Sequence, residues 1–422
     1  MESVYRKVAW RLLPVLFLCY VVAYLDRVNV GFAKLQMLAD LHFSDTAYGL
    51  GAGIFFIGYF LFEIPSNLIL HRMGARVWIA RIMISWGILS SLTMFITSEV
   101  SFYGLRFALG VAEAGFFPGI VLYLTQWFPS ERRARIIALF MTAVAISGVV
   151  GGPLSGVIMT TMAGVRGWSG WQWLFLLEGI PSVVMGAVVY RYLDDSIDAA
   201  TWLTPHEKHA LRERLHTEDA TKVSLSVGET LRSGRVLSFA AVYFTFTMGL
   251  YGVGFWLPQI IKNLGVRDVL DVGLLSAIPY GVGAVAMVLT ARRSDRTGER
   301  RRHVALSALV GSIGLALAGA SGHNTVAGMT ALSIGTAGVL STLPLFWTMP
   351  TAMLAGASAA AGIALINSIG NLSGFLAPYV VGAITDATGS QTYGLYVLAA
   401  ALLLGAAMTM GLKTQHQVLR DT

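Results

Sequence analysis

The stretch that decides the fold is Tyr24-Leu25-Asp26-Arg27-Val28-Asn29, where two adjacent charged residues interrupt the apolar run from Trp10 to Phe32. The run is long enough to cross a bilayer as a helix. A charged side chain at membrane depth costs about 2.5–3.5 kcal/mol on insertion scales, and it is tolerated where it faces a protein interior or a wet cavity. The stretch therefore predicts a membrane protein that moves or senses a polar solute.

The composition is also that of a membrane protein. Of the 422 residues, 55% are hydrophobic and only 13% are charged, whereas soluble domains are about 25% charged. The 46 glycines fit closely packed membrane helices. Cys19 is the single cysteine, so no intrachain disulfide can form. No small-residue cleavage site follows the first apolar run, so we expect a retained span and not a signal peptide.

Twelve apolar segments have the length of a membrane span. They lie near residues 10–33, 47–70, 76–97, 102–125, 134–160, 171–192, 236–260, 272–291, 303–321, 326–347, 351–382 and 392–412. If both termini are cytoplasmic, most of the 30 lysines and arginines flank the spans on the cytoplasmic side, and the loops on the other side hold Lys34, Arg166, Lys262 and Arg267. The positive-inside rule therefore predicts cytoplasmic termini. We attribute the formal charge of +7 to this topology and not to nucleic-acid binding.

A polar segment separates the twelve spans into two sets of six. This pattern predicts an N-terminal bundle over residues 1–193, a cytoplasmic linker over 194–235 and a C-terminal bundle over 236–422. The sequence Thr204-Pro205-His206-Glu207 is typical of a capping box with proline at the first helical position. We expect a short charged helix that ends near His216 and presents its charges to solvent.

The two sets of spans are related in sequence. Arg72-Met73-Gly74-Ala75-Arg76 follows the second span, and Arg296-Thr297-Gly298-Glu299-Arg300 follows the eighth. Pro153 in the fifth span and Pro378 in the eleventh also match. Such a duplication is typical of transporters whose substrate site lies between two parallel repeats near the middle of the membrane.

Several motifs resemble those of the major facilitator superfamily. Three segments resemble the general motifs of the superfamily: the loop from Ser294 to Arg300, Leu105-Arg106 with Gly110, and the fifth-span segment from Gly148 to Gly156. The segments that resemble its anion:cation symporter family are Tyr24 to Ala33, Glu63 to Asn67, Glu113 to Gly119, and Asn367 to Gly374. His71 departs from the superfamily pattern, which usually has Asp there, and this departure affects the expected gate pairing of the first half.

The resemblance implies a fold and a class of activity. The fold is an all-α membrane protein with twelve transmembrane helices in two pseudo-symmetric six-helix bundles. The family includes proton-coupled permeases for tartrate, sugar acids, phthalate and hydroxyphenylacetate. The resemblance therefore implies transport of an organic anion together with protons.

Four ionisable residues lie within spans of the first bundle: Asp26, Arg27, Arg106 and Glu113. Protonating one acid leaves this set net positive, which links proton binding to the binding of a carboxylate. We expect Arg27 and Arg106 to bind the carboxylate because a guanidinium is a permanently charged fork of donors. Asp26 and Glu113 would then carry protons, and the resemblance implies the same assignment. The alternative is that Asp26 or Glu113 pairs with Arg106 to hold helices together.

Other candidate residues carry no charge or are expected to have structural roles. Asn367 and Asn371 share one helix face, where they can bind substrate oxygens without adding charge. The remaining substrate-site candidates are Tyr24, Tyr59 and Trp347, with Tyr251 as a further polar candidate and little weight on Trp256. Glu63 and Glu178 lie beside prolines, so we expect them to satisfy backbone groups or to pair with loop arginines. The predicted cytoplasmic gate pairs come from Arg72, Arg76, Asp295, Arg296 and Arg300, although positive-inside topology alone also explains these residues.

The leading hypothesis is a proton-coupled importer of a hydroxylated carboxylate such as tartrate or a sugar acid. Two alternatives remain: a proton-driven efflux antiporter, which the motif from Gly148 to Pro153 leaves open, and a symporter of an aromatic carboxylate. An enzyme is not expected, since the sequence has no His-Glu-x-x-His helix, no Gly-Lys-Ser/Thr loop and no cysteine pair. We expect a monomer in the bacterial cytoplasmic membrane, with lipid around it and without a cofactor, metal or nucleic-acid partner.

Overall fold

The computed structural model describes residues 1–220, 232–353 and 356–412. Within these ranges the regular structure is helical and contains no strand. The α-helices, in chain order, are α1 (Glu2–Val28), α2 (Val30–Leu41), α3 (Asp45–Met73), α4 (Ala75–Leu92), α5 (Glu99–Glu113), α6 (Phe116–Thr125), α7 (Ser130–Thr161), α8 (Gly170–Tyr192), α9 (Pro205–Ala220), α10 (Gly234–Asn263), α11 (Val269–Thr297), α12 (Arg300–Ala320), α13 (Thr325–Met353), α14 (Gly356–Asn371), α15 (Ser373–Thr388) and α16 (Thr392–Gly411).

The expected twelve spans are confirmed: the described helices include 12 stretches long and apolar enough to cross a membrane. The first span consists of α1 and α2, the fourth of α5 and α6, and the eleventh of α14 and α15. Each other span is a single helix, and α9 belongs to the polar segment between the two sets of six. The first span runs on to Leu41, well past the end expected from hydropathy.

The fourth span is interrupted directly after Glu113. Gly115 has a φ of +83°, a conformation that favours glycine, and it separates α5 from α6. Pro118 has no N–H to donate to the carbonyl of Ala114, so a continuous helix would lose a bond here. The break places the Glu113 carboxylate at the end of a helix near mid-span, as in the discontinuous helices of many transporters.

The two halves meet closely at one face of the molecule. We call the end that carries Arg76 and Arg300 the basic face, and the other end, which carries Asp45 and Asp386, the far face. Near the far face α3 packs against α15, and α7 packs against α11. A Cβ added to Gly49 would lie 2.3 Å from the carbonyl oxygen of Pro378. The far face is therefore closed in this structure by backbone-to-backbone contact.

Polar contacts also hold the far face together. The carboxylate of Asp386 accepts hydrogen bonds from the backbone N–H groups of Thr46 (2.7 Å) and Asp45 (3.2 Å) on the other half. Lys34 pairs with Asp45, and its Nζ lies 3.7 Å from the ring centroid of Trp256. The expectation that Lys34 lies in a loop was wrong, because it is a buried residue of α2. Trp256 is likewise fully buried and belongs to this junction.

The polar segment between the halves folds back onto the first half. The predicted capping box is present: the carboxylate of Glu207 accepts a bond from the Thr204 N–H (2.8 Å), and the Thr204 hydroxyl accepts one from the Glu207 N–H (3.3 Å). The helix extends to Ala220, beyond the predicted end. Glu207 also pairs with Lys7 at 2.8 Å, and Leu211 is fully buried. Arg212, Glu213 and Arg214 are exposed, in line with the expected solvated charge, whereas Glu207 also contacts the first half.

Candidate functional site

A buried ion pair lies where the first and fourth spans meet. Arg27, near the end of α1, binds Oε1 of Glu113 through its Nη2 atom. Arg27 is 7% exposed and Glu113 is 1% exposed. Removing two such charges from water is costly unless their geometry and remaining hydrogen bonds are good. The pair is therefore a site at which an added charge or proton has a large effect.

The ion pair continues into the other half through neutral groups. Nη1 of Arg27 donates to the hydroxyl of Tyr251 (3.3 Å), and that hydroxyl donates to Oδ1 of Asn371 (2.6 Å). We call the series Glu113–Arg27–Tyr251–Asn371 the central chain. It lies between the halves and not against lipid, since all four residues are buried.

Aromatic rings enclose the Arg27 guanidinium. Its Cζ lies 5.5 Å from the ring centroid of Phe55, 5.9 Å from that of Phe56 and 5.6 Å from that of Tyr59. These distances allow cation–π attraction. Cζ of Arg106 lies 5.1 Å from the same Phe55 ring. Both predicted anion ligands therefore contact Phe55, a residue that the sequence analysis missed because nothing in its local pattern distinguishes it from ordinary packing.

Arg106 lies beside the central chain and not within it. Its Nε and Nη2 donate to the carbonyl oxygens of Gly51 (3.4 Å) and Ala52 (3.3 Å) on α3. The close approach of α5 to α3 depends on Gly110, where an added Cβ would lie 1.9 Å from a carbonyl oxygen of α3. Nη1 of Arg106 has no hydrogen-bond partner among the described residues. Arg106 thus keeps a buried donor available for an anion.

Asp26 is adjacent to Arg27 in sequence but points into the first half. Its carboxylate accepts hydrogen bonds from Trp86 Nε1 (2.9 Å), from the hydroxyl of Ser90 (3.0 Å) and from the hydroxyl of Ser182. These donors come from α4 and α8 and are all neutral. In the described part of the chain no ion pair joins Asp26 or Glu113 to Arg106, so the alternative helix-holding pairs are not observed. The two predicted proton sites therefore have different surroundings.

A second carboxylate bridges the halves nearer to the basic face. Glu63 of α3 accepts a hydrogen bond from Asn367 Nδ2 (3.0 Å) and another from the hydroxyl of Ser368, both on α14. We expected Glu63 to bind backbone groups or loop arginines, and that expectation was wrong. Asn367 and Asn371 share one helix, yet one binds Glu63 and the other binds Tyr251.

The other predicted substrate ligands are buried around the central chain. Tyr59 lies against Arg27, as described above. The hydroxyl of Tyr24 is buried without a hydrogen-bond partner in the described ranges. Trp347 packs on Tyr243 with ring centroids 5.0 Å apart, and Tyr243 in turn contacts the backbone of α14 beside Asn371. Trp347 is therefore one residue removed from the central chain.

Two of the predicted gate arginines pair with nearby acids and not across the two halves. Arg76 binds Asp195, with 3.3 Å between Nε and Oδ2, and Arg300 lies 3.9 Å from Asp295. Arg72 and Arg296 are exposed. The side chain of His71, where the sequence departs from the superfamily pattern, lies outside the described part of the structure. A gate role for these residues stays a prediction.

Comparison with known proteins agrees with this architecture. The model of the Major Facilitator Superfamily matches residues 16–378. A protein of Agrobacterium vitis named "Putative tartrate transporter" is 51% identical over 409 residues, which cover 96% of this chain and 90% of that protein. A protein of Acinetobacter baumannii named "Quinolone resistance transporter" is 41% identical over 411 residues, covering 97% of this chain and 94% of that protein.

The fold also matches solved structures. The xylose transporter XylE from E. coli, in a partially occluded inward open conformation, superimposes with a TM-score of 0.76 at 13% identity, covering 95% of this chain and 97% of XylE. At this identity the match concerns the fold alone. The family match over most of the chain and the relatives above show that the chain is a transporter of the major facilitator superfamily and not an enzyme.

Proposed function

We propose that the protein imports a small organic anion together with protons, by alternately exposing a site between its two halves to either side of the membrane. The observation that carries the proposal is the buried Arg27–Glu113 ion pair at the junction of the halves. Its arginine is a ligand for a carboxylate, and its partner is a group that a proton can neutralise.

The coupling follows from competition for one guanidinium. Glu113 occupies the Nη2 donor of Arg27 and neutralises the guanidinium charge that a substrate carboxylate needs. A proton on Glu113 removes its charge and weakens that bond, so Arg27 becomes available to the anion. Binding of the anion in turn stabilises the protonated form of Glu113, because linkage is reciprocal. The unpaired Nη1 of Arg106, whose guanidinium also lies against the Phe55 ring, offers a second donor.

Asp26 is the second proposed proton site. It adjoins Arg27 along α1, and its three neutral donors satisfy the ionised form without fixing a counter-charge nearby. Neutralising Asp26 would increase the net positive charge around the substrate. This is the condition under which a carboxylate is attracted into the site.

The substrate class follows from the neutral donors and acceptors around the arginines. Tyr251, Asn371, Asn367 and Tyr59 can bind hydroxyl groups as well as carboxylate oxygens. We therefore favour a hydroxylated carboxylate such as tartrate or a sugar acid, in line with the name of the Agrobacterium relative. The proposed topology places the basic face and both termini in the cytoplasm of a bacterial inner membrane, with bundles over residues 1–193 and 236–422 joined by a linker over 194–235. The gate residues Arg72, Arg76, Asp295, Arg296 and Arg300 would then face the cytoplasm.

The test is uptake of labelled tartrate and sugar acids into proteoliposomes under an imposed pH gradient. We expect accumulation when the outside is acidic, and collapse of accumulation when a protonophore is added. A thermal-shift screen against organic acids at several pH values would identify the ligand, since a ligand that binds only the folded state stabilises it. The proposal would be contradicted if uptake were independent of the proton gradient for every acid that shifts the melting temperature.

Two other candidates have a specific observation in their favour. The relative named as a quinolone resistance transporter favours a proton-driven exporter. In that case an inward proton gradient would drive substrate out of the vesicles and would oppose uptake. The rings of Phe55, Phe56 and Tyr59 around Arg27 favour an aromatic carboxylate. That candidate predicts that benzoate-like acids stabilise the protein more than tartrate does.

A further inference from the structure

A small cavity lies between the two halves, away from the central chain. It is bordered by Asn29 at the junction of α1 and α2, by Glu178 of α8 and by Tyr280 of α11. Glycines of α7 keep it open; a Cβ added to Gly148 would lie 2.2 Å from the ring of Tyr280. The volume is about 10 Å³, which is room for roughly one water molecule. Because residues of both halves form its walls, the cavity exists only while the halves are in contact here.

Several polar atoms at this cavity are buried without partners. Oε1 of Glu178 accepts a hydrogen bond from the hydroxyl of Ser155 (2.8 Å), but Oε2 has no partner among the described residues. Asn29 lines the same cavity, and both of its amide atoms are buried without a hydrogen-bond partner in the described structure. Glu178 and Asn29 are only 3% and 2% exposed. Because buried polar groups without hydrogen bonds are unfavourable, a water molecule bound by both residues is strongly favoured.

The cavity also has no counter-charge for Glu178. Tyr280 of α11 lines the cavity with Glu178, and Asp26 of α1, outside the lining, is near enough to act electrostatically on Glu178; neither is a cation. Arg27 is bound to Glu113 instead. No lysine or arginine is among the cavity-lining residues in the described ranges. A buried carboxylate without a cation is far more costly than the neutral acid, so such a group takes up a proton.

The seal of the cavity toward the far face is the contact between α7 and α11. A Cβ added to Gly152 would lie 2.6 Å from the carbonyl oxygen of Gly273, and one added to Gly156 would lie 3.2 Å from the Cα of Gly273. If the halves part at the far face during alternating access, α10 and α11 move away from α7. Glu178 would then be exposed to the solvent on that side.

We propose that this cavity is a third proton site, in which Glu178 and one water molecule bound to Asn29 hold a proton while the far face is closed. When α7 and α11 separate, the proton on Glu178 passes to bulk water and leaves a carboxylate; when they close, the carboxylate takes a proton from the solvent. The inference rests on the alternating access of the proposed function. It concerns a site distinct from the substrate-binding arginines.

The experiment is infrared spectroscopy of the purified full-length protein at neutral pH, without substrate. We expect the spectrum of the unmodified protein to contain the carbonyl band of a protonated, buried carboxyl group, and Glu178→Gln to lose the absorbance of one such group per molecule. Ser155→Ala should keep the band and shift it to higher frequency, because the carbonyl loses its hydrogen bond. Gly156→Trp, which wedges α7 away from α11, should replace the band by that of a carboxylate.

The result that would overturn the proposal is a difference between the unmodified protein and Glu178→Gln that contains only carboxylate bands at neutral pH. If Glu178→Gln does not fold, the infrared spectrum of Ser155→Ala decides the question. A shift relative to the unmodified protein that is confined to the carboxylate region would also overturn the proposal. None of these readouts needs substrate or transport. Failure here would leave anion symport intact, and failure of proton-driven uptake would leave the proton on Glu178 intact.

Discussion

The two halves of the transporter contribute different chemistry to the same junction. The first half supplies the charged groups: Arg27, Glu113, Arg106, Asp26 and Glu63, all buried. Around these charges the second half supplies neutral groups: Tyr251 binds Arg27, while Asn367 and Ser368 bind Glu63. Asn371 is bound to Tyr251 and not to a charged group. The halves have related sequences and six spans each, so the difference lies in their side chains and not in their architecture.

This asymmetry separates two tasks. The charges proposed to bind an anion or a proton lie on one half, so we expect their mutual distances to change little when the halves move. The neutral groups of the other half can form and break hydrogen bonds with them at a cost of about 0.5–1.5 kcal/mol each, or about 1.5–3 where the partner is charged. We therefore expect the contacts between the halves around the central chain to be weaker than the contacts that bind the anion.

The largest expected effect comes from removing the central charge. Arg27→Ala should leave Glu113 buried without its partner, destabilise the protein by about 3–5 kcal/mol and abolish uptake. The melting temperature and proteoliposome uptake measure the two effects. The control is the double variant Arg27→Ala/Glu113→Ala, which should recover much of the stability and none of the uptake. Substantial uptake by either variant would show that Arg27 does not bind the substrate.

Arg106 tests whether the first half has one anion ligand or two. Arg106→Ala should abolish the ligand-induced thermal shift, because the free Nη1 donor disappears while the Arg27–Glu113 pair remains. Arg267→Ala, an exposed arginine on the far side, is the matched control and should keep the full shift. An unchanged shift in Arg106→Ala would mean that Arg27 alone holds the anion.

Glu113 tests where the proton acts. Glu113→Gln resembles the protonated acid, so we expect it to bind substrate with little dependence on pH and to exchange substrate across the membrane without accumulating it. Binding isotherms at several pH values and counterflow assays measure these properties. Accumulation driven by a proton gradient in this variant would remove Glu113 from the coupling role.

The neutral partner in the second half should matter less than the charges. Tyr251→Phe removes the hydrogen bonds to Arg27 and Asn371, at a combined cost of about 2–4.5 kcal/mol. We expect weaker binding by about tenfold and slower exchange, with proton coupling retained. Phe246→Leu, an apolar change elsewhere on α10, serves as a packing control. Loss of coupling in Tyr251→Phe would show that the second half does more than supply weak contacts.

The smallest expected effect lies at the linker. The Lys7 ammonium, together with the Thr204 N–H, holds the pKa of Glu207 below its usual value. Because the pKa of Glu207 is lowered in the folded state, the ion pair stabilises the fold at pH values above the pKa of Glu207 in the unfolded chain. This stabilisation is lost as the pH falls through the folded-state pKa. Since the pair is exposed, Lys7→Ala should cost less than about 1 kcal/mol near neutral pH and nothing in acid. Thermal melts of both proteins across that pH range measure it.

The sequence alone predicted the number of spans and singled out the charged residues of the candidate site, because both follow from local chemistry. Twenty apolar residues specify a span whatever surrounds them, and the charges of Asp26, Arg27, Arg106 and Glu113 stand out against that background. The capping box at Thr204 is likewise a local pattern. These features need no knowledge of which helices touch.

Only the tertiary structure decided which of these groups are partners. Four charges at similar depth allow several pairings, and helix packing selected Arg27 with Glu113 while it turned Asp26 toward Trp86 and Ser182. The sequence around Glu63 and Lys34 gave no signal for the contacts that they make, because their partners lie on other helices. Ion pairs and hydrogen bonds depend on distances of a few ångströms between helices remote in sequence, and side-chain packing between the two halves sets those distances.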